Sequence, residues 1–168
     1  CCLVGWGFYE RGAVDASGQY RIPIHVLKCK RQGCGGYISI QPTFLLPYRQ
    51  YTFAVIYRIL CLRLLMGQTL RESWQQVMGT FPGYLPFAYQ TVQFWVKALR
   101  ARCDFWSGLL QGEIGLAPVA AEVSGSVRML TILEQYLGRG TTEAVRLARH
   151  GDLMNRYRGS PLCRRAYS

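Results

Sequence analysis

The sequence predicts a mainly α-helical protein with a small β module at its N-terminus. Alternating apolar residues and turn signals mark residues 1–40, whereas apolar residues recur at helical spacing from residue 51 onwards. Residues 41–50 separate the two patterns, and their two prolines exclude regular structure. We expect four parts: a β module at 1–40, a linker at 41–50, a helical domain at 51–112, and C-terminal helices with a basic tail at 113–168.

The β module is predicted to consist of hairpins. Residues 3–9 are rich in aromatic and β-branched side chains, and residues 20–27 alternate between apolar and polar types. Residues 15–18, Asp-Ala-Ser-Gly, are a turn signal between these strands. A third, short apolar strand is expected at 37–40.

Cysteines around the second strand suggest a zinc-ribbon-like site. Cys29 and Cys34 flank a glycine-containing turn that can bind Zn²⁺, and Cys2 lies where the other half of a ribbon would be. We predict Cys2, Cys29 and Cys34 as zinc ligands, although the C-x4-C spacing is wider than usual and three ligands leave a tetrahedral site incomplete. The alternative is a metal-free hairpin with buried thiols. His25 is a weaker candidate for a ligand, because a histidine on a strand is more often simply exposed.

Three predicted helices follow the linker in the order of a helix-turn-helix. The first covers residues 51–66 and ends at Gly67, and Cys61 lies in its apolar stripe. A capping box at residues 69–72, Thr-Leu-Arg-Glu, begins a short second helix that ends at Gly79. A connection of about eight residues, longer than the 3–4 of a tight motif, leads to the third helix.

The third helix contains residues 90–102, which have one apolar and one polar face. Val92, Trp95, Val96 and Leu99 follow helical spacing and form the apolar face. The opposite face carries Gln90, Gln93, Lys97 and Arg100. Glutamine can bond to adenine edges and the cations can neutralise phosphates, so this face is predicted to lie in a DNA major groove. The alternative is an amphipathic core helix with a solvated face.

The C-terminal part is predicted to be helical. The third helix is expected to run on through residue 110 before glycines and a proline break it. Two further helices are expected at 126–137 and 141–149, with Gly138 and Gly151 as stops. Residues 155–168 are expected to form a solvated basic tail.

The charge favours a polyanionic partner. Lys and Arg total 20 against 9 acidic residues, which gives a net charge of +11. Lys28, Lys30 and Arg31 lie beside Cys29 and are predicted to add phosphate contacts. We therefore expect double-stranded DNA as the partner, and the sequence predicts no particular oligomeric state.

Enzymatic activity is not expected. The few carboxylates do not pair at helical or strand spacing, whereas two-metal nucleases need clustered ones. There is no glycine-rich phosphate-binding motif, and we expect no small-molecule substrate. No transmembrane segment is expected either, because arginines interrupt the apolar stretch at 51–66. The absence of a signal peptide indicates a cytoplasmic protein with reduced thiols, and a start at Cys1 indicates a trimmed N-terminus.

Three runs of residues carry a resemblance: GFYERG at 7–12, RIPIHVLKCKRQGCGG at 21–36 and FLLPYRQY at 44–51. They resemble an uncharacterised bacterial family with an N-terminal zinc ribbon and a transposase-like helix-turn-helix. The helix QTVQFWVKALRA is similar to the recognition helix of insertion-sequence transposases. The resemblance covers about residues 1–103. The family has no assigned activity to carry over, but with the charge and the helix pattern we expect a nucleoid-associated DNA-binding protein, either mobile-element-associated or a recognition fragment of a transposase.

Two other functions remain open from the sequence. The many tyrosines and tryptophans could dock a protein partner, so that the charge would only aid solubility. Alternatively, the basic helix at 51–66 could lie on a membrane surface as an interfacial anchor.

The predicted zinc site can be tested by metal analysis of the reduced full-length protein, with the residues expected upstream of Cys1. We expect one Zn²⁺ there, held by Cys29, Cys34 and an N-terminal knuckle, because thiolate ligation would stabilise a β module too small to bury a core of its own. Cys29→Ser should abolish metal binding, whereas Cys61→Ser, in the apolar first helix, should leave the zinc content unchanged. A reduced protein without zinc would contradict the prediction.

Overall fold

A computed structural model describes residues 2–46, 49–79, 85–112, 115–116, 119, 122–138 and 142–157, with the backbone alone at 85–89, 143 and 154–157. The strands of this part of the chain are β1 (Leu3–Val14), β2 (Gln19–Cys29) and β3 (Tyr37–Ile40). Its helices are α1 (Phe53–Leu64), α2 (Leu70–Met78), α3 (Leu85–Arg100), α4 (Cys103–Gly112), α5 (Gly125–Leu137) and α6 (Glu143–Tyr157). The predicted layout, a small N-terminal β module followed by helices, is confirmed.

The strands form one antiparallel sheet in the order β1-β2-β3. The turn between β1 and β2 is stabilised by Asp15, whose Oδ1 accepts hydrogen bonds from the amides of Ser17 at 2.7 Å and Gly18 at 3.0 Å. A register shift between Gly5 and Gly7 makes a β-bulge at Trp6. Most side chains of the sheet are exposed, because no helix in the described structure covers its faces.

Residues 41–52 join the sheet to the helices. The Arg11 guanidinium donates to Gln41 Oε1 at 2.8 Å, to the Leu46 carbonyl at 2.6 Å, and to the Arg49 carbonyl. Leu45 is buried against the sheet, and the neighbouring Leu46 is buried in the helical core. The predicted linker is therefore an ordered connection that packs on both parts. Two of its predicted members, Pro47 and Tyr48, lie outside the described residues.

α1 lies at the centre of the helical part and contacts α2, α3, α5 and α6. Its apolar side chains are buried, and the ring of Tyr51 just before it makes edge contacts with Trp74 and Trp95 at 5.6 and 5.3 Å between centroids. A helix whose apolar surface is already used in the core cannot present that surface to lipid. The membrane-anchor interpretation of residues 51–66 is therefore wrong.

The capping box of α2 is present as predicted. The Glu72 amide donates to Thr69 Oγ1 at 3.2 Å, and the Thr69 amide donates to Glu72 Oε2 at 2.8 Å. Gly67 lies between α1 and α2, and Gly79 follows the last residue of α2. Their φ values of +69° and +61° are ones that glycine adopts without strain. The connection from α2 to α3 is six residues, 79–84, of which 80–84 lie outside the described part.

Two predicted helix boundaries are wrong. α3 does not run on to residue 110, because a turn at Ala101 and Arg102 separates it from α4. The apolar spacing of the sequence continues through this turn and gives no sign of a break. The break accompanies a tertiary contact: α4 packs against α5, with an ion pair between Arg128 and Asp104 at 2.9 Å. Gly151 does not stop a helix either, since α6 continues past it to Tyr157.

Gly151 is required by a close approach of two segments. A Cβ atom at this position would lie 2.7 Å from Thr43 Cγ2 and 3.2 Å from Thr43 Cβ, inside ordinary van der Waals distance. The absence of a side chain thus lets α6 pack against residues 41–52.

We predict opposite effects of alanine at two helical glycines. Gly151→Ala should lower the free energy of unfolding by about 1–3 kcal/mol, because Thr43 or α6 must move. Gly108→Ala in α4, where no atom lies within 4 Å of the new Cβ, should raise it by about 0.5–1 kcal/mol. Urea denaturation of both variants measures the difference. A Gly151→Ala variant as stable as the parent would contradict the proposed contact.

His150 is a buried titratable residue whose ring stacks on that of Phe53. It has no exposed surface, and its ring lies 3.7 Å from that of Phe53, at 18° to it. Burial lowers the pKa of His150 to about 4, and a backbone hydrogen bond with Thr43 offsets only part of this shift. The imidazole is therefore neutral in the folded protein at pH 7.

We predict that stability falls as the pH is lowered from about 6.5 towards 4. In this range the unfolded chain takes up a proton at His150 that the folded chain does not, since the folded-state pKa is the lower one. Between pH 7 and pH 5 the loss should be about 2 kcal/mol. His150→Phe, which keeps a planar ring on Phe53, should remove this part of the pH dependence in denaturation curves. An equally steep dependence in the variant would assign it to other groups.

Candidate nucleic-acid interface

α3 has two faces with opposite environments. Val92, Trp95 and Leu99 are buried, with Val96 half-buried beside them. The four polar residues of the predicted DNA-binding face, Gln90, Gln93, Lys97 and Arg100, are all exposed. The helix is thus held by its apolar stripe, and its polar face is open to a partner.

The cations of this face are not neutralised within the described structure. Its ion pairs join Arg21 to Glu10, Arg128 to Asp104 and Arg146 to Glu134, and none of them includes α3. The Arg100 Nε donates to Ser126 Oγ at 3.3 Å, which orients the guanidinium without neutralising it. Lys97 has no carboxylate partner among the described residues.

An aromatic residue also belongs to this face, although the sequence did not predict it. Phe94 is 37% exposed between Gln90 and Lys97, and the Arg49 guanidinium carbon lies 4.6 Å from the centre of its ring. This cation–π contact places another positive charge beside the N-terminal half of the polar face. Phe94 follows Gln90 by four residues and so shares its face of the helix, which could have indicated its exposure. Its contact with Arg49 could not be predicted, because it depends on how residues 41–52 fold.

The basic residues around Cys29 divide into two environments. Lys30 and Arg31 are exposed on the turn that connects β2 to β3. Lys28 lies on the sheet, where its Nζ is 4.0 Å from the ring centre of Trp6 and 5.5 Å from that of Tyr37. In the described residues no hydrogen bond, ion pair or ring contact connects this group to α3.

The three predicted zinc ligands differ in exposure. Cys29 is buried, whereas Cys2 and Cys34 are exposed. The Lys30 amide donates to the Cys2 carbonyl at 2.9 Å, which brings the backbone of Cys2 to the end of β2. Within the described ranges no three His, Cys, Asp or Glu side chains lie close enough to hold a metal ion. Zinc binding therefore stays a prediction. His25 lies four residues from Cys29, about 13 Å along the strand, which is too far for a shared ligand sphere.

No helix in the part of the chain that the structure describes is long and apolar enough to cross a membrane. Comparisons of the chain with protein-family models, curated proteins and solved structures find no match. The geometry and charge of the site itself are therefore the basis for a functional proposal.

Proposed function

We propose that the protein binds double-stranded DNA through the polar face of α3, as a DNA-binding protein of transposase or mobile-element type. The observation that supports this proposal most directly is the exposure of Gln90, Gln93, Lys97 and Arg100 on one face of a helix whose reverse face is buried. Amides and cations at these positions match the chemistry of base edges and phosphates.

The arrangement of the first three helices agrees with this role. α1, α2 and α3 contact one another pairwise, and α3 follows a short capped helix as the recognition helix does in a helix-turn-helix. Gln90 and Arg100 are ten residues apart, which corresponds to about 15 Å along the helix. This distance is similar to the width of the major groove, about 12 Å, so the two ends of the face would meet different parts of the groove.

The N-terminal glutamines would read bases, and the C-terminal cations would position the helix on the backbone. Lys30 and Arg31 would add phosphate contacts from the β2–β3 turn, with Lys28 contributing less because it already lies over Trp6. A zinc ion held by Cys2, Cys29 and Cys34 would stabilise that turn.

A second candidate function is docking of a protein partner on the sheet. Five large apolar side chains there are more than half exposed: Trp6 and Tyr37 on one face of the sheet, and Phe8, Ile38 and Ile40 on the other. Exposed apolar clusters on either face would suit a protein partner. Both faces are distinct from the polar face of α3, so substitutions in α3 separate the two functions.

The DNA proposal can be tested by binding measurements at several salt concentrations. We expect Lys97→Ala and Arg100→Gln to weaken binding to all sequences alike and to lower the salt slope by about one unit each. Gln90→Ala and Gln93→Ala should cost about 1–3 kcal/mol on a duplex selected from a random pool, and little on unselected DNA. Arg21→Gln on β2, which removes the same single charge from an exposed position, is the matched control.

The control variant distinguishes local contacts from the effect of net charge. If Lys97→Ala and Arg21→Gln weaken binding equally, the +11 charge acts as a whole and α3 has no special role. If all four α3 variants bind DNA like the parent, or if binding is insensitive to salt, the proposal is wrong and the sheet becomes the leading candidate surface.

A further inference from the structure

One face of the sheet carries exposed aromatic rings around a lysine. Trp6 on β1 is 59% exposed and Tyr37 on β3 is 52% exposed, with 5.8 Å between the centres of their rings. Lys28 on β2 lies between the two outer strands, and its Nζ is 4.0 Å from the ring centre of Trp6. We call this surface the Trp6 face. Exposed rings on an antiparallel sheet are surfaces on which the unpaired bases of a nucleic-acid strand can stack.

The part of the Trp6 face next to these rings is low and open. Gly7, Val26 and Ser39 pair across the three strands in the neighbouring row, and their side chains are short or absent. A Cβ atom at Gly7 would meet no atom of the described structure within 4 Å. Beyond this row Tyr9, which is also exposed, lies on the same face. A base beside the indole would therefore have room along the sheet, with a further ring at the far side.

The sequence leaves this surface without acidic neighbours. Residues 16–71, which include β2, β3 and the turn between them, contain no Asp or Glu. β1 contains one acidic residue, Glu10, which forms an ion pair with Arg21 on the opposite face of the sheet. A negatively charged partner would therefore meet no carboxylate on the Trp6 face.

Three cations lie at the same end of the sheet as the aromatic rings. Lys28 is part of the Trp6 face, and Lys30 and Arg31 are exposed on the turn that leads to Tyr37. Within the described residues none of them is in an ion pair. This charge disfavours a second copy of the chain as the partner, because two chains of +11 would repel each other, and it favours a polyanion.

From these contacts we infer that the Trp6 face binds single-stranded DNA. Bases would stack on Trp6 and Tyr37, and the phosphate contacts of Lys28, Lys30 and Arg31 would be made to this strand. A duplex suits the rings less well, because its bases are already stacked on one another. The choice of DNA rests on the function proposed above, whereas the surface itself includes no residue of α3.

The fluorescence of Trp6 provides a direct test of stacking. It is the exposed one of the four tryptophans, since Trp74, Trp95 and Trp106 are buried. An oligothymidine of about twelve nucleotides should bind the chain and quench this fluorescence. An abasic strand of the same length, which has the phosphates without the bases, should bind more weakly and quench little.

Substitutions identify the face that is used, with affinity measured by the fluorescence anisotropy of a labelled oligothymidine. Trp6→Leu should weaken binding about tenfold, and Tyr37→Leu by a similar factor, because each removes one stacking surface. Trp6→Phe keeps a ring, so it should retain most of the affinity and lose the fluorescence change. Phe8→Leu is the matched control, because it removes an exposed ring from the opposite face of the sheet. Thermal unfolding of each variant establishes that it is folded.

The inference is overturned if oligothymidine does not bind, if the abasic strand binds equally well, or if Trp6→Leu and Phe8→Leu weaken binding equally. Tighter binding of an oligouridine of the same length would assign the face to RNA and overturn the choice of DNA. Trp6→Leu should leave duplex binding unchanged, and Lys97→Ala should affect the single strand no more than Arg21→Gln does. If the Trp6 effect is absent while the α3 effects on duplex are present, this inference alone fails. The reverse result would refute the proposed function of α3 alone.

Discussion

The Arg11 guanidinium is the contact on which the connection between sheet and helices depends. It donates to the carbonyls of Leu46 and Arg49, and the same segment is held to β1 by two backbone bonds, from the Val14 amide to the Gln50 carbonyl and from the Thr52 amide to the Val14 carbonyl. This fixes the chain just before α1 and places the Arg49 side chain over Phe94 of α3. One side chain of β1 thus positions groups on the face proposed to bind DNA. Loss of Arg11 would leave buried carbonyl groups without a hydrogen-bond donor, which is costly, so it would destabilise the connecting segment as well as β1.

Local sequence signals predicted the elements well and their ends less well. The Thr69–Glu72 capping box and the turn at Asp15 are short-range hydrogen-bond patterns, so the sequence contains all the information they need. The turn at Ala101 and the continuation of α6 through Gly151 depend on distant partners, α5 and Thr43. Sequence periodicity does not contain such contacts, and a glycine required by close packing looks the same as one that ends a helix.

The same distinction applies to the candidate interface. The polar face of α3 could be predicted because its four residues lie on one helix, where spacing alone determines which side they share. The Phe94–Arg49 contact could not, since its two residues come from different elements and meet only in the folded chain.

The exposed sheet has a consequence for how the chain opens. Apart from Cys29, the buried apolar residues of β1 and β2 are Ala13, Val14 and Ile24, in the part of the hairpin nearer its turn, whereas the end that carries Cys29 packs on no helix in the described structure. Backbone amides near Leu3 and Tyr37 can therefore exchange with solvent through local opening, while those of α1 require unfolding of the whole core. The outer part of the hairpin and the helical core would therefore open with different free energies, and a protease would cleave the outer hairpin long before the helices.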